Sequence, residues 1–559
     1  MADGYLSTEQ VLLLENLMYM GADDSPLPKI KDCEGKSIES ILSMVDVNSI
    51  PDDASCGSYM TGKDWKDLVN AIKNDPELCK MTVAATHVDH SDGGGGGVSA
   101  VFTNPDTKEA VVAFRGTAQN EWKDNFVGGA TTDTPQQQNA LDWYQEVYEE
   151  LGLDDSYVTV TGHSKGGNKA KYITLLDDSV DRCVSFDGQG FSDEFMEKYE
   201  DQIAQNQHKI ENNNVDYDYV NLLLNDVGNT TYYKGYDYGE GGVLEAHCPN
   251  TFFKYDENGN PIMNVSPTGQ SAEMKAMDEF LNSYLRSLSP SEKAEALELI
   301  GTLVQGGFGG EMDGNIYDIL MDPDNQDMAA HLVAYLIEYE QAHPEFKDHI
   351  NNVMNKFGMG EFCEYVNTVD DILNNEYFDK VFDAVDWVSG HIPNWVIDWV
   401  LDKLKEEYGI ELTREQAKNL LAMIGKLNGY MDDIKIKDNG GDIVVEDTSF
   451  GNVGEIKVFP GVLSQGIAQM ESIAQEVENI NGSIDAVRVS IDFNMFGLDF
   501  VVKQLKGRIT RLSKDYAKIA AVMSDCLTAY EKEEQEIEAL FPITKDLTNE
   551  GGDWTDGIK

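Results

Sequence analysis

The chain has 559 residues, enough for three or four domains, and its 41% hydrophobic content can fill real cores. A net charge of −58 excludes a nucleic-acid binder and disfavours electrostatic docking on anionic lipid. Seven cysteines without C-x-x-C pairs or metal spacing form no disulfide framework and no zinc site, and no metal or cofactor is expected.

The first twenty residues, MADGYLSTEQVLLLENLMYM, carry acidic residues and lack both a basic n-region and a small-residue cleavage site, so they are not read as a secretory signal. Ser7 and Gln10 fit a capping box ahead of a first helix, and a second helix is expected over 63–73. From residue 81 the pattern turns to strands. MTVAATHVDH and VSAVFTN flank the glycines at 93–97 and predict a hairpin. The glycine run lacks the Lys and Ser/Thr of a phosphate loop. EAVVAF (109–114) is a further strand, ending in Arg115-Gly116-Thr117 with Trp122 and Asp124 beyond.

Residues 157–176, YVTVTGHSKGGNKAKYITLL, carry the strongest signal. A run of β-formers leads into Gly162-His163-Ser164-Lys165-Gly166, and a helix follows over 168–176. This is G-x-S-x-G between a strand and a helix, the setting that lifts a serine hydroxyl clear of the backbone. A Cβ at Gly162 or Gly166 would clash in so sharp a turn. Ser164 is therefore the expected nucleophile. The N–H of Lys165 and that of Thr117, in the loop after an earlier strand, are the expected oxyanion donors.

RCVSF (182–186) and YDYVNLLL (217–224) read as the next strands, ending at Asp187 and at Asn225-Asp226. A serine hydroxyl needs a base, and the base needs an anion to fix its tautomer. His247, in EAHCPNTFF, is the expected base, and the chain order Ser164, Asp226, His247 favours Asp226 as the acid, with Asp187 the competitor. His163 is expected to pack beneath the turn, and His87, His90 and His208 have no partner legible in sequence.

FRGT with Trp122 and Asp124, then VTGHSKGG, then NDVG and the late histidine resemble the class 3 lipases. The likeness covers roughly residues 1–265 and is nearest to a bacterial lipase-like branch. It implies an α/β-hydrolase fold, carboxylester hydrolysis and the triad named above, on a lipid or a small ester.

TFFKYDENGNPIMNV predicts a hairpin turning at Asn258-Gly259, which closes the first domain, 1–265. Residues 266–435 read as helical, with Pro290 near the first turn of one helix. Within them 382–401, with Trp387, Trp395 and Trp399, is interrupted by Gly390 and Pro393 and too acidic to span a bilayer. It reads as a core or interface helix pair, or as a lid making transient contact with a membrane surface. Residues 436–460 are a linker. Over 461–559, Leu463, Ile467, Met470, Ala474 and Val477 begin an apolar seam that resumes at Val502 after a turn, predicting a long antiparallel helical hairpin.

That hairpin resembles the WXG and LXG-type hairpins that direct proteins to type VII secretion, and Tyr530 and Glu534 fit the tyrosine–acid signal of such substrates. The resemblance implies export without a Sec signal and a small helical partner on 461–541. Against it stand a homodimerising coiled coil and a cytoplasmic location. The alternative to an enzyme is a non-catalytic adaptor that keeps the fold as a scaffold.

Overall fold

Ser7 caps the first helix, α1 (Thr8–Leu17), through the expected reciprocal box with Gln10. Every residue of α1 from Val11 to Leu17 is buried, which is why VLLLENL shows no polar face. The helix lies flat on a sheet and is covered in turn by α2 (Ile38–Ser43), α3 (Gly62–Lys73) and α4 (Pro76–Lys80). This arrangement comes from a computed structural model describing residues 5–21, 27–53, 60–89, 97–116, 132–236, 246–307, 316–320, 322, 324–357, 359–374, 392–408, 411–438 and 443–447. The chain divides into two units, Met1–Ser449 and Phe450–Lys559. The second unit, with the helical hairpin expected over 461–559, lies outside the described residues, as do Thr117, Trp122 and Asp124.

The sheet has seven strands in sequential order: β1 (Thr82–Asp89), β2 (Gly97–Asn104), β3 (Glu109–Phe114), β4 (Tyr157–His163), β5 (Arg182–Phe186), β6 (Ile210–Val215) and β7 (Asn229–Tyr233). β1, β2 and β3 pair antiparallel, and β3 to β7 run parallel. The chain therefore has an α/β fold with a mostly parallel sheet. Such a sheet is covered on both faces, and its strands read as unbroken apolar runs. In β3, Val111 and Ala113 face α1 to α4, while Val112 and Phe114 face the opposite layer. That layer holds the crossover helices α5 (Pro135–Leu151) and α6 (Lys165–Leu176) and the pair α7 (Asp193–Lys198) and α8 (Glu200–Asn206).

One expected strand is displaced. The run 217–224 is loop and turn; the strand in that part of the sheet is β6, of sequence IENNNV. Asn212, Asn213 and Asn214 are buried there. Asn212 Nδ2 donates to the Val227 carbonyl at 2.6 Å, and the Tyr233 hydroxyl donates to Asn213 Oδ1 at 3.0 Å. A strand satisfied by side-chain amides carries no hydrophobic signature.

The hairpin at Asn258-Gly259 forms as β8 (Phe253–Tyr255) and β9 (Pro261–Met263), with Gly259 at φ +80° where a left-handed residue is needed. Helices then follow: α9 (Ala272–Ser287), α10 (Pro290–Gly307), α11 (Ile316–Leu320), α12 (Gln326–Ala342), α13 (Phe346–Lys356), α14 (Gly360–Leu373), α15 (Asn394–Lys403) and α16 (Arg414–Asp433). α12 is the axle of this layer, buried nearly throughout, with Tyr335 and Tyr339 against Phe280 of α9. Of the expected tryptophan-rich lid, α15 buries Val396, Ile397 and Val400 while Trp395 is exposed. A final hairpin, β10 (Ile434–Asp438) and β11 (Ile443–Asp447), belongs to the first unit, which ends at Ser449 inside the expected linker.

Candidate active site

β4 ends at His163 and α6 begins at Lys165, so Ser164 alone makes the turn, at φ 60° and ψ −127°. A non-glycine residue pays strain there and keeps it only where its surroundings fix it. Those surroundings are tight. A Cβ on Gly162 would lie 2.1 Å from the carbonyl carbon of Gly166, and one on Gly166 would lie 1.8 Å from the Phe114 carbonyl oxygen. Ser164 N–H donates to the Phe186 carbonyl at 2.9 Å, and its own carbonyl accepts from Asn168 N–H at 3.2 Å. Asn168 in turn bonds the carbonyls of Gln189 and Gly190. Lys165 is the first residue of α6, where backbone N–H groups lack intrahelical acceptors. Thr117 lies outside the described residues, but Gly116 before it reaches the turn: a Cβ on Gly116 would stand 3.0 Å from Ser164 Cβ.

His247 and an aspartate are paired, but the aspartate is neither expected residue. His247 Nδ1 lies 2.5 Å from Asp218 Oδ2. Asp218 is fully buried, and its Oδ1 accepts from the N–H groups of Val220 and Asn221 at 2.8 and 3.0 Å. Both carboxylate oxygens are thus engaged, and Nδ1 must carry the proton. His247 Nε2 is left with its lone pair, buried and without a hydrogen-bond partner among the described residues.

The expected acid Asp226 lies elsewhere, its Oδ1 2.6 Å from the buried Lys171 Nζ. Lys171 also donates to the Gly188 carbonyl. Asp226 thus neutralises a charge inside the helix layer. With 217–224 a loop, the strand ends at Val215 and two carboxylates follow it: Asp216, which accepts from Ser271, and Asp218, which faces His247. The motif D-Y-D-Y-V holds that signal, but in sequence it looks like strand interior.

Asp187, the competitor, also sits close by. It has φ 45°, and its Oδ1 accepts from Val215 N–H at 2.6 Å and Asn221 Nδ2 at 3.0 Å. Its Oδ2 is buried with no hydrogen-bond partner among the described residues. Burial, and next the charge of Asp218, hold the Asp187 carboxyl well above the usual carboxylate range.

His163 packs under the turn, as expected. Its ring centroid is 4.6 Å from that of His247. The Tyr19 hydroxyl, from just past α1, accepts from Gly116 N–H at 3.0 Å and shares a 2.7 Å hydrogen bond with His163 Nδ1. Burial, then the neighbouring His247, keep His163 neutral, its pKa well below the usual histidine value. The His247 main chain beside the ring partly offsets this shift. Beneath both lies Glu15, fully buried, its carboxyl pushed far up by burial against the pull of the His163 backbone and Arg115. One nitrogen of His163, one of His247 and one carboxylate oxygen of Asp187 lie within 4.8 Å of one another.

Above Ser164 opens a cavity of about 1070 Å³, its mouth included. Its floor is Ser164, Lys165 and Gln189, and one wall is Tyr219, Val220, Leu222 and Leu223 from the loop after β6. The roof is wholly apolar: Met277, Phe280 and Leu281 of α9, Ile300 and Leu303 of α10, Leu332 of α12, and Ile350 and Met354 of α13. The polar groups cluster at one end, the arrangement of a pocket that takes an apolar group and presents its polar terminus to a reactive floor.

A family model described as Mbeg1-like matches residues 97–300. That span holds the sheet from β2 onward, Ser164, Asp218, His247, the first roof helix and part of the second. A search of curated proteins found no match.

Proposed function

We propose that the protein is a serine carboxylester hydrolase acting on esters with a sizeable apolar acyl chain. The observation that carries this reading is a strained serine at the floor of an apolar cavity, with a buried His–Asp pair beside it whose Nε2 is unoccupied. Ser164 Oγ attacks the ester carbonyl carbon, and its proton passes to His247 Nε2. Asp218 holds the imidazole in the Nδ1–H tautomer and stabilises the cation. The Lys165 N–H, with a donor from the loop after β3, receives the oxyanion. Collapse expels the alkoxide, which leaves as an alcohol with the proton from His247. Water, deprotonated by the same nitrogen, then hydrolyses the acyl-enzyme and frees the acid. In the structure no hydrogen bond joins Ser164 to His247, and such bonds tighten on substrate binding in sites of this kind.

The test is labelling by a fluorophosphonate probe together with hydrolysis of a p-nitrophenyl ester series. Ser164→Ala should abolish labelling and lower kcat by at least about 10³-fold. Labelling that survives the substitution at full level rules out the assignment and leaves the scaffold reading.

A further inference from the structure

Among the described residues, the buried polar atoms without a hydrogen-bond partner include His163 Nε2, His247 Nε2 and Asp187 Oδ2. A buried polar group left unpaired calls for an explanation, and an unseen ion is one. The three residues each bring one donor atom to within 4.8 Å of the other two.

The rest of each side chain is already fixed. His247 Nδ1 is held by Asp218, His163 Nδ1 by Tyr19, and Asp187 Oδ1 by Val215 N–H and Asn221. In each residue one atom is anchored and the other is left for a shared ion. The Asp218–His247 contact is also the carboxylate–histidine pairing that supports metal-bound imidazoles.

We propose that His163, His247 and Asp187 form a site for a borderline divalent transition-metal ion of the zinc class. Two imidazole nitrogens and one carboxylate oxygen suit such an ion and leave a coordination position for water. Ligand atoms at 2.0–2.2 Å in tetrahedral array stand about 3.4 Å apart, so the side chains close by roughly 1 Å on binding. His163 binds through Nε2 when its proton sits on Nδ1, and Tyr19 then accepts that proton's hydrogen bond. No sequence spacing announces the site, because its ligands come from the ends of β4 and β5 and from the segment before β8. Metal binding itself stands apart from the proposed hydrolysis. If that reading holds, an ion on His247 Nε2 occupies the base and silences the enzyme reversibly.

The full chain, freed of metal by a chelator, is titrated with Co²⁺ in excess Mg²⁺, which occupies the many surface carboxylates. Visible d–d absorption is followed, and Zn²⁺ is then competed against a chromophoric chelator. One equivalent of Co²⁺ should saturate a band that Zn²⁺ abolishes. Asp187→Asn, which keeps an acceptor for Val215 N–H, should weaken binding at least about tenfold, and so should His163→Asn. Asp226→Asn should leave it unchanged. Absence of a saturable single equivalent, or equal affinity in folded Asp187→Asn, overturns the site. If His163→Asn fails to fold, Asp187→Asn alone decides. Metal binding with no esterase activity in the metal-free chain would sink the hydrolase reading and leave the metal site standing.

Discussion

Asp218 and Asp226 are two carboxylates eight positions apart with different partners, His247 and Lys171, and substitution separates them. Asp218→Asn leaves His247 without its anion and permits the wrong tautomer, so kcat on a p-nitrophenyl ester should fall by roughly 10³–10⁴-fold while the fold persists. Asp226→Asn should leave kcat within a few-fold but strand the buried Lys171 charge. Asp226 is itself part-exposed, so the loss in urea unfolding should be about 1–3 kcal/mol, below that of a fully buried pair. The opposite pattern would restore Asp226 as the acid.

Glu15 gives a prediction in pH. Its folded pKa is raised well above its ordinary value, so the native state holds a proton that the unfolded chain releases above about pH 4.5. Stability from this group therefore falls as pH rises from there toward the folded pKa, by up to about 1.4 kcal/mol per pH unit. Glu15→Gln should flatten the slope of unfolding free energy between pH 5 and 8 and raise stability at pH 8; an unchanged slope means that Glu15 is ionised in the fold. Nothing in VLLLENL marks this residue, because a helix buried on every side loses the period that tells inside from outside.

At the scale of elements, the strands that pack by apolar side chains were readable and the one held by amides was not. β3, β4 and β5 are runs of Val, Ala, Thr and Phe, and the turn at Ser164 is fixed by glycines that have no steric substitute. β6 buries three asparagines, while the apolar run after it, Tyr219 to Leu223, faces a cavity instead of a sheet. Hydrophobicity reports burial, not conformation, and the position of the carboxylate that pairs with His247 shifts along with the strand. The roof helices show the same limit: their periodicity announced helices but not what they cover. If they cover an acyl chain, Met277→Trp and Leu303→Trp should shorten the accepted chain. kcat/KM for long-chain p-nitrophenyl esters should fall about tenfold relative to the acetate ester. Equal losses on both would place the chain outside this cavity.

For the whole molecule, the expected boundary at residue 265 is bridged by the cavity, whose floor comes from one expected domain and whose roof comes from the other. A single unit through Ser449 follows from that shared apolar surface. Sequential strand order has a further result. Among the described residues, the crossover helices lie on one side of the sheet, and the other side is closed mainly by residues 8–80, which precede every strand, with Cys248, Phe252 and Phe253 added later. During synthesis the cover leaves the ribosome before the surface it must protect. At roughly 5–20 residues per second it waits several seconds, its leucines exposed, until β5 emerges. The nascent chain is thus most in need of a holding chaperone early, and a fragment starting at residue 97 would be born with most of one side of its sheet bare.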